Sequence, residues 1–561
     1  MCGINGCTFE DEAVIALMND AIGHRGPDDR GTLVRGGVSL GHLRLSILDL
    51  SPRGHQPMAS PSGRYQMVYN GEIYNFRDLR SRLEQAGERF DSDSDTEVVL
   101  HAFERDGLAC VSEFNGIFAF AIHDTAEHCL FLVRDRLGIK PLYYIEQGER
   151  LYFSSEIKAF EQVPGLTLTV DHAAVAEYAA SHDIVREGLY LEVVAVPPGS
   201  SVRVDLTTRR LLSTPYVRVT DAVQPERYRR MAAASEATLV DELDALLNDV
   251  VRDQLVSDAP IGTICSGGVD SSLITAIARR YHPDLQVYNV RVGDVRCDES
   301  PHAVAVAKHL GLTLHQVVLD RDSYLAHYRD CIVSEDVPLT HPNSVGIFLL
   351  SQQARSHGLS VLLSGEGADE LFGGYHRYKA FRKRLLVESI PLAKWLVGRD
   401  HDLFTQEDVQ RIDVAASLPA DAPAWARQRH DWTKAFHQAF AFIPSARERE
   451  LKAFIAKDLG DYLPPILRRT DRMSMAVGLE MRVPYLDNRL IEFGLNLPTK
   501  HQVSFNDVKR LLKAVARRYL PATIVDRAKM GFPLPIQEWL GKDDIRGAYL
   551  QAWERSRAPR A

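Results

Sequence analysis

Short apolar or alternating runs recur through residues 2–205, among them Val38-Ser39-Leu40, Tyr65-Gln66-Met67-Val68-Tyr69, Ile117 to Ile122 and Cys129 to Val133, separated by Gly, Pro, Asn and Asp turns. A period of two, or a brief apolar run closed by turn formers, is the mark of a strand buried on one or both faces. Leu79 with Leu83, and Val99 with Phe103, fall at helical spacing instead and predict helices over 76–85 and 96–105. The first half therefore reads as a sheet protein with a few helices.

From residue 211 to 237 the pattern lapses into polar, irregular sequence, which reads as a connector. An amphipathic helix follows, with Leu239, Leu243, Leu246, Leu247, Val250 and Val251 on one stripe and Pro260 beyond its end. Apolar strands and helical patterns then alternate: strands at 261–265, 286–292, 315–319 and 359–363, helices after Ser271 and over 303–310. Such alternation implies a parallel sheet covered by helices on both faces. The expected division is 2–210, a connector at 211–237, a second domain at 238–545 and a tail at 546–561. Residues 379–457 read as mostly helical and carry no legible chemistry.

Composition narrows the function classes. With 45% hydrophobic and 25% charged residues in 561, this is ordinary globular composition and more than one core's worth of chain. A formal net charge of -9 gives no footprint for nucleic acid or an anionic membrane. Seven cysteines without a Cys-x-x-Cys pair suggest neither a disulfide framework nor structural zinc. No basic-plus-apolar leader and no run of about 18 apolar residues is present, so a cytoplasmic protein is expected.

The chemistry begins at Cys2. If Met1 is removed, its thiol has a base in its own α-amino group, which titrates at about 7.7–8.0. Downstream stand His24-Arg25-Gly26-Pro27-Asp28, Arg44-Leu45-Ser46-Ile47, Asn70-Gly71-Glu72-Ile73-Tyr74-Asn75 and Ser94-Asp95-Thr96-Glu97. Together these strings resemble the class II glutamine amidotransferases across the first half, which implies an N-terminal-nucleophile αββα sandwich. The resemblance implies further that Cys2 attacks the amide and that Asn70 and Gly71 hold the oxyanion. Arg44, Ile47, Glu72 and Asp95, with Asn70 and Gly71, would bind glutamine, whose carboxylate suits a guanidinium and whose ammonium suits a carboxylate. Arg25 would order the loop over the nucleophile.

In the second half, Ile261 to Cys265 runs into Ser266-Gly267-Gly268-Val269-Asp270-Ser271-Ser272 and a helix. A glycine-rich turn at a helix start presents backbone N–H groups to phosphate, and without a Walker lysine it is no P-loop. Ser364-Gly365-Glu366-Gly367-Ala368-Asp369-Glu370 follows a second strand, where nucleotides bind parallel sheets. The strings are similar to the ATP pyrophosphatases of adenine nucleotide α-hydrolase-like fold. By that resemblance Ser266, Gly267, Gly268, Asp270, Ser271, Ser272 and Ser364 meet pyrophosphate, Ile264, Val290 and Gly365 meet adenine, and Asp270 and Asp369 hold Mg²⁺. Glu366 would take a proton from ammonia and Lys529 would stabilise charge at the adenylate. Lys509 reads equally as a phosphate ligand or surface charge.

A glutaminase followed by an ATP pyrophosphatase (α+β, then α/β) resembles the glutamine-hydrolysing asparagine synthetases. Glutamine, ATP, Mg²⁺ and aspartate are then the expected partners, with a homodimer suggested and an apolar passage for neutral ammonia between the sites. Tyr462-Leu463-Pro464-Pro465 and His341-Pro342-Asn343-Ser344 depart from the family's strings beside the acceptor pocket, so another carboxylic acid stays open. A β-lactam-synthetase-type cyclase and a non-catalytic glutamine sensor are the remaining alternatives, disfavoured by Cys2, Arg44, Asn70 and Asp95 and by the phosphate motifs respectively.

Overall fold

The computed structural model describes residues 2–181, 184, 187–388, 423–527 and 534–557. Its first half is built from two six-stranded sheets. In one, Gly3–Cys7 lies between Arg150–Ser154 and Val38–Arg44, pairing antiparallel with both, with Asp29–Arg35 at one edge and Val194–Ala195 at the other. In the other the order is Leu211–Pro215, Ser200–Asp205, Cys129–Arg134, Gly116–Asp124, Tyr65–Ile73 and Met58–Ala59, every pair antiparallel.

Alternation of side chains across each strand explains how the layers close. Ile4, Leu40 and Phe153 of the first sheet meet Val68, Ala121 and Leu132 of the second in one apolar cluster. The opposite faces are covered by Val14, Ile15 and Met18 of helix Glu12–Ala21, and by Leu79, Leu83, Val99 and Phe103 of helices Phe76–Gln85 and Asp95–Asp106. This is the expected αββα sandwich. The stretch read as a connector is more regular than its sequence suggests: Leu211–Pro215 is an exposed edge strand, hence its polarity, and Pro225–Ala233 is a helix with proline in its first turn.

The second half carries a five-stranded, wholly parallel sheet in the order Leu314–Leu319, Gln286–Val292, Ile261–Ile264, Val361–Leu363, Glu480–Arg482. Chain order reverses at Ile261–Ile264, with later strands added on either side. A crevice opens beyond the strand ends at such a switch point, and the two glycine-rich loops leave adjacent strands there. Residues 389–422 of the stretch read as helical lie outside the described residues; the described parts include helices His376–Glu388, Ala424–Ala439 and Ala446–Ala456. The stretch 546–561, read as a tail, falls mostly in helix Ile545–Arg557, whose Tyr549 and Trp553 are buried with Tyr178 and Tyr324.

One apolar cluster runs through both halves, joining Leu45, Ile47, Tyr74 and Ile117 to Met475, Val483 and Tyr485. All seven cysteines are free thiols, and among the described residues no helix is long and apolar enough to cross a membrane.

Candidate active sites

At the N-terminal site, Cys2 begins the chain's entry into Gly3–Cys7 and is buried. Its main-chain N–H donates to Asn70 Oδ1 at 3.0 Å, and its carbonyl accepts from Arg25 Nε at 3.1 Å. Burial pushes the Cys2 thiol up, opposed in part by the nearby amino terminus and Arg44, so a local base is needed before it can attack. Asn70 Nδ2 is buried with no hydrogen-bond partner among the described residues. An orphaned buried donor beside a nucleophile is what a preformed oxyanion site requires. At Gly71 a Cβ would come 2.4 Å from the Ile117 carbonyl oxygen, so the neighbouring strand admits only glycine.

Asp95, the first residue of its helix, accepts from Tyr69 Oη at 2.8 Å and from the Ile73 N–H at 3.0 Å, which brings it beside Glu72. Burial pushes Asp95 up to about 6; burial together with Asp95 holds Glu72 well above the usual carboxylate range. Arg44 donates to the carbonyls of Ser51, Leu48 and Asp49 at 2.9, 3.3 and 2.5 Å, and so pins the 48–51 loop. Gly54 leaves it room, since a Cβ there would meet Nη2 at 2.0 Å. Ile47 belongs to the apolar cluster at the junction of the halves, and its carbonyl accepts from the Asp258 N–H at 2.9 Å.

The second site is a cleft of about 560 Å³ at the switch point. Ile264, Ser266, Gly268, Asp270, Ser271, Val290, Ser364, Gly365, Glu366, Asp369 and Lys509 all line it. Gly267 and Ser272 stand behind the wall. Gly267, at φ +76°, lets the loop pack on the helix Ser300–Leu310, where a Cβ would meet the Ala303 nitrogen at 2.5 Å; Ser272 is wholly buried against Cys265 Sγ at 3.6 Å. Ile264 and Val290 share an apolar patch with Ile347 and Leu350, a wall suited to a purine. The Ser266 Oγ bonds with Ser271 Oγ at 3.1 Å and accepts from the Gly268 N–H at 3.3 Å, bracing the turn.

Lys509 is buried, not a surface charge, and its ammonium lies 2.5 Å from Asp270 and 2.6 Å from Asp369. The two carboxylates thus lie close enough for one cation to bridge them. Among the described residues no cluster of three or more His, Cys, Asp or Glu could hold a metal ion.

Glu366 is held at both oxygens, by Arg469 Nη2 at 2.5 Å and by Thr470 Oγ1 at 2.6 Å. Arg469 also donates to Asn343 Oδ1 at 2.8 Å, and Asn343 and Leu463 line the same cleft, so both departing strings reach it. Lys529 and Met1 lie outside the described residues. Sequence reasoning missed Arg469 and Thr470, and noted Asn343 only within a departing string, without a role. It missed as well Asp471 and Arg482, which cross to the first site: Asp471 pairs with Arg25 at 2.9 Å and Arg482 with Glu72 at 3.2 Å.

Residues 242–561 match the asparagine synthase family model, and residues 1–217 the glutamine amidotransferase domain model. Asparagine synthetase (glutamine-hydrolyzing) 1 of Bacillus subtilis is 31% identical over 579 residues, covering 96% of this chain and 88% of that protein. The chain belongs to the glutamine-hydrolysing asparagine synthetases. A putative asparagine synthetase of Mycobacterium tuberculosis is likewise 31% identical over 568 residues, covering 95% of this chain and 86% of its own. Amidase chry2 of Gibberella zeae is 27% identical over 580 residues, covering 93% and 85%. This synthetase is thus a carbon–nitrogen ligase with a glutaminase half and an ATP-dependent half, and a non-catalytic sensor is not favoured.

Proposed function

We propose that this synthetase converts aspartate to asparagine, with glutamine as nitrogen donor and Mg²⁺-ATP as activator. The observation that carries the choice of acceptor is the buried Arg469 guanidinium at the wall of the cleft, which suits the α-carboxylate of an amino acid.

With Met1 removed, the Cys2 amine takes the thiol proton and the thiolate attacks the glutamine amide. The oxyanion is met by Asn70 Nδ2 and the Gly71 N–H, while Glu72 and Asp95 receive the α-ammonium and Arg44 the carboxylate. Ammonia leaves, and water releases glutamate from the thioester. In the cleft the acceptor carboxylate attacks the α-phosphorus of ATP. Pyrophosphate departs onto the backbone N–H groups of the Ser266–Ser272 turn and the Val269–Tyr281 helix start. Asp270 and Asp369 would hold Mg²⁺, which neutralises phosphate charge. Ammonia then displaces AMP from the acyl-adenylate, and Glu366, positioned by Arg469 and Thr470, accepts the proton. Only neutral ammonia is nucleophilic, and the apolar cluster spanning both halves supports a dry route between the sites.

Acceptor-dependent exchange of labelled pyrophosphate into ATP, run over a panel of carboxylic acids, tests the acceptor; exchange with another acid and none with aspartate overturns it. Cys2→Ala should abolish glutamine-dependent synthesis yet keep synthesis from ammonium salts, and Asp270→Ala should do the reverse. Loss of both activities in Cys2→Ala would defeat this division of labour.

A further inference from the structure

The two sites share a residue. Arg482 closes the short strand Glu480–Arg482 at the edge of the parallel sheet, in register with Leu363. Its carbonyl accepts the Ser364 N–H at 2.9 Å, which fixes the first residue of the loop that carries Gly365 and Glu366 into the nucleotide cleft. Its side chain runs the other way, to the junction with the glutaminase half, and is wholly buried.

There the guanidinium reaches Glu72 Oε2 at 3.2 Å and Glu480 Oε1 at 2.5 Å, and donates through Nη1 to the carbonyls of Gln254 and Val256, both at 2.7 Å. Four anchors leave a planar fork little freedom, and a lysine ammonium could not span them. The titratable groups facing Glu72 are Asp95, Tyr69 and Tyr74 of the glutaminase half, the amino terminus, and Glu480 and Arg482 of the synthetase half. Three carboxylates, Glu72, Asp95 and Glu480, are therefore gathered out of water, and like charges so placed resist ionising together. The described ion pair of Glu72 is the one with Arg482.

We propose that Arg482 is a positioning residue of the glutamine site, supplied by the synthetase sheet to hold the Glu72 carboxylate ready for the substrate's α-ammonium. The glutaminase is complete only when docked on the synthetase half, and one residue registers both loops: the nucleotide loop through its main chain, the glutamine strand through its side chain. The inference rests on the reading of residues 70–95 as the glutamine site.

The test is Arg482→Lys in the full chain. Glutamate release is followed against glutamine concentration and pH, beside ammonium-dependent pyrophosphate release by the same preparation. The KM for glutamine should rise about tenfold, the worth of one charge-assisted hydrogen bond, with kcat little changed. The acid limb of kcat/KM should move to higher pH, because Glu72 and Asp95 lose their fixed cation. Glu480→Gln, which keeps Arg482 and removes a neighbouring anion, should move that limb to lower pH, and it decides the matter if Arg482→Lys does not fold. In the Glu72→Gln background Arg482→Lys should add nothing, whereas a merely structural role would multiply the losses. An unchanged KM in folded Arg482→Lys, or an unmoved limb in Glu480→Gln, overturns the proposal. If the wild type itself releases no glutamate from glutamine, the glutamine-site reading falls with it.

Discussion

In the proposed mechanism Asn70 divides its amide between two tasks: the oxygen accepts the Cys2 N–H, and the buried nitrogen is left for the oxyanion. Asn70→Ala should therefore lower glutaminase kcat by roughly 10²–10³ and leave ammonium-dependent synthesis intact, measured by glutamate and pyrophosphate release. Asp95 gives a pH prediction. Its carboxyl is pushed up to about 6 by burial, and it receives a cation only when ionised. The KM for glutamine should rise as pH falls through about 6, and Asp95→Asn should flatten that dependence while weakening binding throughout. At this scale the motif residues were legible because each string is local: Asn70-Gly71-Glu72 occupies a single strand. Their partners were not. Nothing in sequence joins Glu72 to Arg482 or Glu366 to Arg469, since those pairs form only when distant strands and helices are brought together.

The alternation of strand and helix was legible because the inner strands of a parallel sheet are buried on both faces and read as plain apolar runs. Glu480–Arg482 escaped for the opposite reason: three residues carry no period, and two of them are charged groups neutralising each other in the interior. The same logic hid the edge strand Leu211–Pro215 in polar sequence. Where the two glycine-rich loops meet, space is the controlling quantity. A Cβ on Gly365 would lie 2.7 Å from the Ser271 nitrogen and 3.0 Å from its Cα, backbone that cannot yield without shifting the pyrophosphate turn. Gly365→Ala should thus suppress acceptor-dependent pyrophosphate exchange at least tenfold while glutamine hydrolysis persists. Equal loss of both would place the defect in folding.

Across the whole molecule the halves are joined by charge as well as by apolar contact, and Asp336 is the knot. At φ +64° it ends the helix Arg321–Glu335, and its carboxylate accepts the Ile157 N–H at 2.8 Å and pairs with Lys158 at 2.9 Å and Arg472 at 3.3 Å. Its carbonyl accepts from Trp553 Nε1 at 2.9 Å and from Arg557 at 3.2 Å, so the C-terminal helix is tied to the same point. Trp553 also packs against Tyr190 of the glutaminase half with ring centroids 5.9 Å apart. Trp553→Ala removes both the buried ring and the bond, and should cost about 3–5 kcal/mol. Arg557→Ala, at a partly exposed ion pair, should cost about 1 kcal/mol or less. Because a chain of two large domains need not unfold in one step, the comparison is the midpoint of the first thermal transition in each variant. If the C-terminal helix clamps the halves, Trp553→Ala should also release more glutamate per pyrophosphate than the wild type, as ammonia escapes at a loosened junction. A ratio unchanged despite a lowered midpoint would assign the helix to stability alone.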